Sequence, residues 1–195
     1  MKMVSRDLNA FWEAAWQALI DATAAVTNAA DVEQAFATIT KTTRSLLGDK
    51  EAHLRPNALK PGERHFSVAG IFLVSEAKRE NILVAEDNFP PEQHRLRIPI
   101  EHGHPGWVVQ HKKPLLLTNT DEHSDFKQIL KTSRMGSAVF GPLIWKGRML
   151  GQIVTASQAR NTYSDVDRDV TIAFANLAAT AFIAHGGDDL VKKIG

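Results

Sequence analysis

Residues 98–117 read IPIEHGHPGWVVQHKKPLLL, and the turn formers in this run predict a strand, a short helix and a second strand. The first strand covers residues 95–100, where polar and apolar side chains alternate with the period of a half-buried strand. Glycine and proline at 103–106 interrupt it, because both residues disrupt a ladder of strand hydrogen bonds. The helix begins after Pro105 and ends before Pro114, and a short apolar strand follows it.

The strongest hairpin signal follows, where residues 136–154 read GSAVFGPLIWKGRMLGQIV. Two apolar runs, residues 137–144 and 149–157, flank a turn that contains Gly147, and this arrangement predicts two antiparallel strands. Pro142 has no N–H to donate to a neighbouring strand, so we expect a sheet edge or a bulge at that position.

Three longer segments carry apolar side chains at the helical period. Asp31 caps the second of these helices, which ends at Gly48, and Ser164 with Asp167 caps the last, which ends at Gly186. The first helix has an apolar surface large enough either to pack on its own domain or to meet a partner helix. This surface consists of Leu8, Phe11, Trp12, Ala15, Trp16, Leu19, Ile20, Ala22 and Val26.

A second hairpin is predicted over residues 66–74 and 82–85, and residues 119–134 place Phe126, Ile129 and Leu130 at helical spacing. Hairpins therefore dominate, and the regular alternation of a parallel α/β protein is missing. The element order predicts an α+β fold with an antiparallel sheet of about six strands, with helices packed mainly on one face and short helices on the other.

The composition limits the class of protein. The 195 residues are 44% hydrophobic and 23% charged, which is typical of one globular domain, and the net charge of +1 gives no field that would attract nucleic acid or anionic lipid. The chain contains no cysteine, which excludes disulfides, thiolate metal sites and cysteine nucleophiles. No apolar run is long enough for a signal sequence or a membrane span, so we expect a cytoplasmic protein without membrane or nucleic-acid partners.

Taken together, residues 98–117, residues 136–154 and the run YSDVD at 163–167 resemble the GAF domain family. The resemblance covers roughly residues 31–184. It implies a GAF-like fold with a small-molecule pocket between the open face of the sheet and the segments at 100–111 and 118–134. We accordingly expect residues 1–30 to form a helix for dimerisation or packing, residues 31–185 to form the GAF-type domain and residues 186–195 to form a C-terminal tail.

The resemblance names several ligand classes but does not choose among them. GAF domains bind cyclic nucleotides, tetrapyrroles, 2-oxoacids, aromatic compounds or non-haem iron. The family's cyclic-nucleotide branch carries an Asn-Lys-Phe-Asp-Glu constellation, which Asn119 and Asp121-Glu122 do not reproduce. Its reductase branch works through cysteines, and this chain has none. We therefore expect no enzymatic activity, and the ligand and any cofactor stay unknown.

The candidate ligand-binding residues concentrate in the region of the implied pocket, since residues 102–123 hold four of the eight histidines. Histidine and carboxylate side chains bind divalent metals and organic ligands, although loop histidines are also commonly solvated. No pair has the spacing of a tight metal motif, so we predict no metal ligand. The predicted ligand-binding residues are Arg97, Glu101, His102, His104, Trp107, His111, Asp121, His123 and Phe126.

These observations favour a sensory domain of signal transduction that binds a small molecule. We expect a homodimer formed through the first and last helices, and a signal that passes to a separate signalling protein. Two alternatives remain open. One is a structural interaction module with an empty pocket, and the other is a metal-binding protein or enzyme built on the histidines and carboxylates.

Overall fold

The computed structural model describes residues 6–123, 127–128 and 134–195. Within these residues, one antiparallel sheet contains six strands: β1 (Ser67–Ser75), β2 (Glu80–Asp87), β3 (Arg97–Pro99), β4 (Leu115–Leu117), β5 (Ser137–Trp145) and β6 (Arg148–Ser157). The spatial order is β3-β2-β1-β6-β5-β4, so the two long hairpins lie side by side at the centre. The predicted α+β class is confirmed.

Five α-helices accompany the sheet in the described residues: α1 (Leu8–Thr27), α2 (Val32–Leu46), α3 (Gly103–His111), α4 (Asp165–Ala184) and α5 (Gly187–Ile194). Short 3₁₀ turns lie at Ala52–Leu54, Pro91–Gln93 and Thr120–Glu122. Residues 124–126 and 129–133, which are half of the segment 119–134 and include Phe126, Ile129 and Leu130, lie outside the described residues.

The structure differs from the sequence expectations at two places. The predicted strand at 95–100 is shorter, because Arg95 has a left-handed backbone with φ of 58° and cannot continue an extended strand. The residues expected to form a C-terminal tail form α5, which follows a left-handed Gly186 and buries Leu190 against the core. This C-terminal segment is polar overall, and it forms a helix because its apolar face packs against the core.

The sheet has a different apolar core on each face. On the helix face, Phe36 and Ile39 of α2 and Phe174 of α4 are fully buried against Ile71 and Ile153. On the opposite face, α3 covers a second core of apolar side chains, which include Phe72, Leu83, Val108, Leu117 and Phe140. The α3 face is where the resemblance places a ligand pocket.

The capping residues predicted for α4 also fasten the helix layer together. The backbone N–H of Ser164 donates to the Asp167 carboxylate at 2.9 Å, completing a capping box. The same carboxylate accepts from the Gly48 N–H at 2.8 Å and from Arg6 at 2.7 Å. One buried acid therefore joins the ends of α1, α2 and α4.

Pro142 lies in the middle of β5 without disrupting the sheet. The neighbouring strand β4 pairs with β5 only at Ala138, Val139 and Phe140, so β5 is an edge strand where Pro142 occurs. A shift in register follows between Leu143 and Ile144. The expected edge and bulge are both present, because a residue without an N–H is tolerated where no strand needs it.

In the described part of the chain, no single helix is long and apolar enough to cross a membrane. Taken together, α4 and α5 reach that length and composition, but they meet at an angle of 82°.

Candidate functional site

A cleft of about 640 Å³ runs beside α3 and reaches the turn between β1 and β2. Three of the predicted site residues, Glu101, His104 and Trp107, line it, together with Arg79 and Lys127. The cleft is within the range of roughly 300–1,000 Å³ that is usual for small-molecule sites. The structure therefore brings part of the predicted set to one surface.

The first turn of α3 is held close to the chain that precedes it. A Cβ atom at Gly106 would lie 2.3 Å from the carbonyl carbon of Glu101, so no side chain fits there. His102 is the N-cap of the helix, although its side chain makes no capping hydrogen bond. The tight turn fixes where Glu101 and His104 leave the backbone.

Two fully buried amides lie beneath this turn, on the α3 face of the sheet. The Gln152 side-chain amide on β6 donates to the Pro105 carbonyl at 3.1 Å and to the Asn81 side chain on β2 at 3.3 Å. Asn81 Nδ2 and Gln152 Oε1 have no hydrogen-bond partner in the described part of the chain. A donor and an acceptor are thus left open within an otherwise apolar layer.

The four histidines of the predicted site do not converge on one point. His104 and His123 meet edge to face, with ring centroids 5.6 Å apart. His111 instead stacks on Trp107 at 4.3 Å, and its Nδ1 lies 2.9 Å from the Trp107 carbonyl oxygen. This stacking is a contact between neighbouring turns of α3, because residues four apart share a helix face.

Asp121 belongs to an ion network around the buried Arg160 and not to the cleft beside α3. Its carboxylate accepts from Arg160 Nε at 2.9 Å and from Lys60 Nζ at 2.7 Å, and it lies 3.3 Å from Arg134 Nε. The Arg160 side chain is only 3% exposed, and its guanidinium also binds Glu63. The network joins four segments of chain, which contribute Lys60 with Glu63, Asp121, Arg134 and Arg160.

The two acids of this network are ionised because their bonds to cations outweigh their burial. Burial alone would raise the pKa of Asp121, but hydrogen bonds from Lys60 and Arg160 lower it to about 2. Burial likewise opposes ionisation of Glu63, and the hydrogen bond from Arg160 lowers the pKa of that carboxyl. Asp121 is therefore already neutralised by protein cations.

The remaining predicted residues have other environments. Arg97 lies on the edge strand β3, where it pairs with Glu80 at 2.7 Å and donates to the Ile194 carbonyl of α5. Glu101 pairs with Arg79 at the exposed rim of the cleft. Phe126 lies outside the described residues. The structure thus groups Glu101, His104, Trp107 and His123 around α3 and directs Arg97 to α5.

Sequence reasoning missed the amide pair, although a signal for it was present. Asn81 and Gln152 are polar residues inside apolar strands, and strand alternation places them on the same face as Leu83 and Val154. A polar side chain at a core position usually has a partner or a function. Arg160 was missed because a lone arginine between a strand and a helix gives no sign of being buried.

Metal binding receives no support from side-chain geometry in the parts of the chain that the structure describes. Within residues 6–123, 127–128 and 134–195, no three histidine or acidic side chains come close enough to hold one metal ion. His104 and His123 approach each other without a third ligand of this kind in that part of the chain.

An antiparallel six-stranded sheet with a helix layer on one face, and a short helix beside a cleft on the other, defines an α+β domain. Residues 31–182 match the family model of the GAF domain. The chain therefore belongs to the GAF domain family, whose members generally bind small molecules in signalling, and the resemblance inferred from the sequence is confirmed.

Solved structures with this fold come from several bacteria. The GAF domain of a phosphoenolpyruvate-protein phosphotransferase from Coxiella burnetii is 18% identical, with a TM-score of 0.74 and 90% of this chain and 96% of that chain covered. The corresponding Acinetobacter domain is 14% identical, with a TM-score of 0.69 and 89% and 94% covered. No curated protein matches the sequence.

A third similar structure corrects our expectation that the chain has no enzymatic activity. Free methionine-R-sulfoxide reductase from Neisseria meningitidis, solved in complex with its substrate, is 18% identical, with a TM-score of 0.68 and 89% and 91% of the two chains covered. The expectation, which depended on the absence of cysteine, is wrong, because the same fold carries catalysis in that protein. Identity at this level shows the fold alone and assigns no reaction to this chain.

Proposed function

We propose that this protein is a sensory GAF domain that binds a small organic molecule on the α3 face of its sheet. The observation that carries the proposal is the buried amide pair beneath α3, Asn81 and Gln152, with one open donor and one open acceptor. An unsatisfied buried polar group costs about 1–3 kcal/mol, so a bound molecule that satisfies both groups would recover that cost. The ligand would therefore offer an acceptor to Asn81 and a donor to Gln152.

The neighbouring side chains would complete the site. His104 and Trp107 line the cleft, and the ring of His123 meets that of His104. The amide pair lies beneath the same turn of α3, where Gln152 donates to the Pro105 carbonyl, and does not itself line the cleft. Aromatic and imidazole rings suit a flat ligand, because they add apolar area and a few directional hydrogen bonds. Asp121 has no part in this proposal, since its charge is already satisfied by Arg160 and Lys60.

Native mass spectrometry of the purified protein tests the proposal, with Asn81→Leu as the critical variant. This change removes the open donor and keeps the bond from Gln152 to Pro105, but it also removes the Asn81 oxygen that accepts from Gln152, so the variant should lose the bound molecule and about 1–3 kcal/mol of stability. Thr155→Val is the matched control, because it removes a buried unpaired hydroxyl from the other face of the sheet.

Three results would contradict the proposal. Repeated preparations that carry no small molecule would favour a structural interaction module with an empty pocket. Equal occupancy in the parent and in Asn81→Leu would show that the amide pair does not bind the ligand. Stoichiometric metal that is lost on changing His104 and His123 would favour a metal-binding protein.

We further propose that the domain is a homodimer and passes its signal to a separate protein. Leu8, Trp12, Trp16 and Ile20 follow one another at every fourth position of α1 and remain exposed, with Trp12 at 44% and Trp16 at 67%. Phe11, Ala15, Ala22 and Val26 are the residues that α1 buries against its own domain. A second copy would cover the stripe of tryptophans that this domain leaves in solvent.

Light scattering tests the dimer directly. Trp12→Asp and Trp16→Asp should each convert a dimer into a monomer, because a buried unpaired carboxylate is costly. Leu54→Asp is the control, since Leu54 is equally exposed at 67% but lies in a 3₁₀ turn far along the chain from α1. A monomeric parent, or a dimer that survives both tryptophan changes, would overturn this interface. The expected cytoplasmic location stays a prediction.

A further inference from the structure

A second cleft lies on the helix face of the sheet, where α2 ends beside the first residue of β1 and the last residue of β6. It encloses about 250 Å³, which is below the usual range for organic ligands and leaves room for a small ion. Ser67 and Ser157, which are paired across β1 and β6, form part of its wall. The sheet separates this cleft from the amide pair beneath α3.

Positive side chains crowd the cleft. Lys50, His53, His65 and Arg44 all line it, and the rings of His53 and His65 lie with their centroids 4.0 Å apart. One acid, Asp49, also lines the cleft and pairs with Arg55, and the nearby Asp87 pairs with Arg44. The Lys50 ammonium donates only to main-chain carbonyls in the described part of the chain, those of Leu47 at 2.7 Å and Arg44 at 3.3 Å.

A tyrosine side chain also lines the cleft. Tyr163 is 3% exposed as a whole residue, and its hydroxyl makes no hydrogen bond to any of the residues that the structure describes. The hydroxyl is therefore free to donate to a molecule that occupies the cleft. Burial, which is the main cause, raises the pKa of Tyr163, so this hydroxyl stays a neutral donor.

Burial and neighbouring positive charges lower the pKa values of Lys50 and His65. Burial and then the charges of Arg6 and Arg44 lower the pKa of Lys50 to about 8, even though Asp167 and Asp49 oppose the shift. Burial, followed by His53 and Lys50, lowers the pKa of His65. The same crowding disfavours a metal cation, although two histidines lie side by side.

We propose that this cleft is a binding site for a small oxoanion of the size and charge of inorganic phosphate. Lys50 supplies positive charge, the imidazoles of His53 and His65 supply N–H donors, and the Tyr163 hydroxyl donates a further hydrogen bond. Charge-assisted hydrogen bonds of this kind are about twice as strong as neutral ones, and a dianion relieves the repulsion among the cations.

Titration with inorganic phosphate at constant ionic strength tests the site, with the ring resonances of His53 and His65 followed by NMR. We expect saturable shifts and a rise in the pKa of His65 as the anion binds. Lys50→Met should weaken phosphate binding roughly 10- to 100-fold, which corresponds to one hydrogen bond to a charged group. Lys41→Met, an exposed lysine of α2, is the matched control and should leave binding unchanged.

Tyr163→Phe keeps the proposal testable if Lys50→Met weakens the end of α2. It removes only the hydroxyl and should weaken binding roughly 2- to 10-fold, as expected for one neutral hydrogen bond. Shifts that do not saturate, equal shifts in sodium chloride alone, or unchanged binding in both variants would overturn the site. Zinc that binds His53 and His65 and excludes phosphate would also overturn it. Asn81→Leu should leave phosphate binding intact, so this test is independent of the proposed sensor function.

Discussion

Two regions of this molecule that contain several histidines differ in their net charge. Along residues 101–123, histidines and acids are dense in the sequence, but the structure pairs Asp121 with Arg160 and Lys60, and Glu101 with Arg79. After α2, His53 and His65 are twelve residues apart in the sequence, yet their rings are in contact in the cleft that Lys50 also lines. The acids of this region, Asp87 and Asp49, pair with Arg44 and Arg55. The first region is neutralised, and the second is left positive.

Histidines and acids that lie close together in the sequence therefore need not meet in the folded protein. A helix separates its side chains by direction, so His104 and His111 leave α3 toward different neighbours, His123 and Trp107. Residues that are further apart on one irregular connection can meet more closely, as His53 and His65 do between α2 and β1. Whether a charged group is available to a ligand then depends on which partners the fold has already given it.

The largest expected effect concerns the neutralised region and its central arginine. Arg160→Met should lower the free energy of unfolding by about 3–5 kcal/mol, because it leaves Glu63 and Asp121 without their buried cation. Urea denaturation measures this loss. Lys60→Met is the control and should cost less than about 1 kcal/mol, since Lys60 is half exposed. Equal losses of unfolding free energy in the two variants would mean that Arg160 is not the central cation of the network.

A smaller effect should appear in acid. The pKa of Asp121 is about 2 in the folded protein, below its ordinary value of 3.8, so its stabilisation is complete above about pH 4 and is lost as the pH falls toward 2. After screening by solvent we expect about 1 kcal/mol from this residue. Unfolding measured between pH 5 and pH 2 should show a shallower pH dependence in Asp121→Asn than in the parent. Asp165→Asn, at an exposed ion pair, should leave the slope unchanged.

Much of the fold was predictable because local signals agree with the tertiary structure. Ser164 and Asp167 predict the start of α4, and the turn at Gly147, with φ of 79°, predicts the hairpin of β5 and β6. The pairing order of the strands depends on contacts between distant segments, such as β1 with β6, and no local pattern specifies it. The burial of α1 was also open, since its two apolar stripes differ only in which one meets α2 and α4.

The candidate site was less predictable, for a physical reason. Its decisive groups are polar side chains that become important only when burial removes their alternatives in water. Gln152 is notable because its partner is Asn81 on another strand, and Asn81 because its side-chain N–H has no partner among the described residues. Residue type and spacing do not reveal which partners these side chains have in the fold. A polar residue inside an apolar strand nevertheless indicates a position where a buried polar group can be expected.

The smallest expected effect concerns the positive region and a single imidazole. Lys50→Met should raise the pKa of His65 toward its ordinary value, because the lysine charge is one of the causes that lower it after burial and His53. His53→Gln should shift the pKa in the same direction, and an NMR titration of the His65 ring measures both. If neither variant moves the pKa, burial alone accounts for the shift and the region is not crowded with charge. A rise in both would show that the fold leaves this positive charge uncompensated, whereas it has paired Asp121 with Arg160 and Lys60.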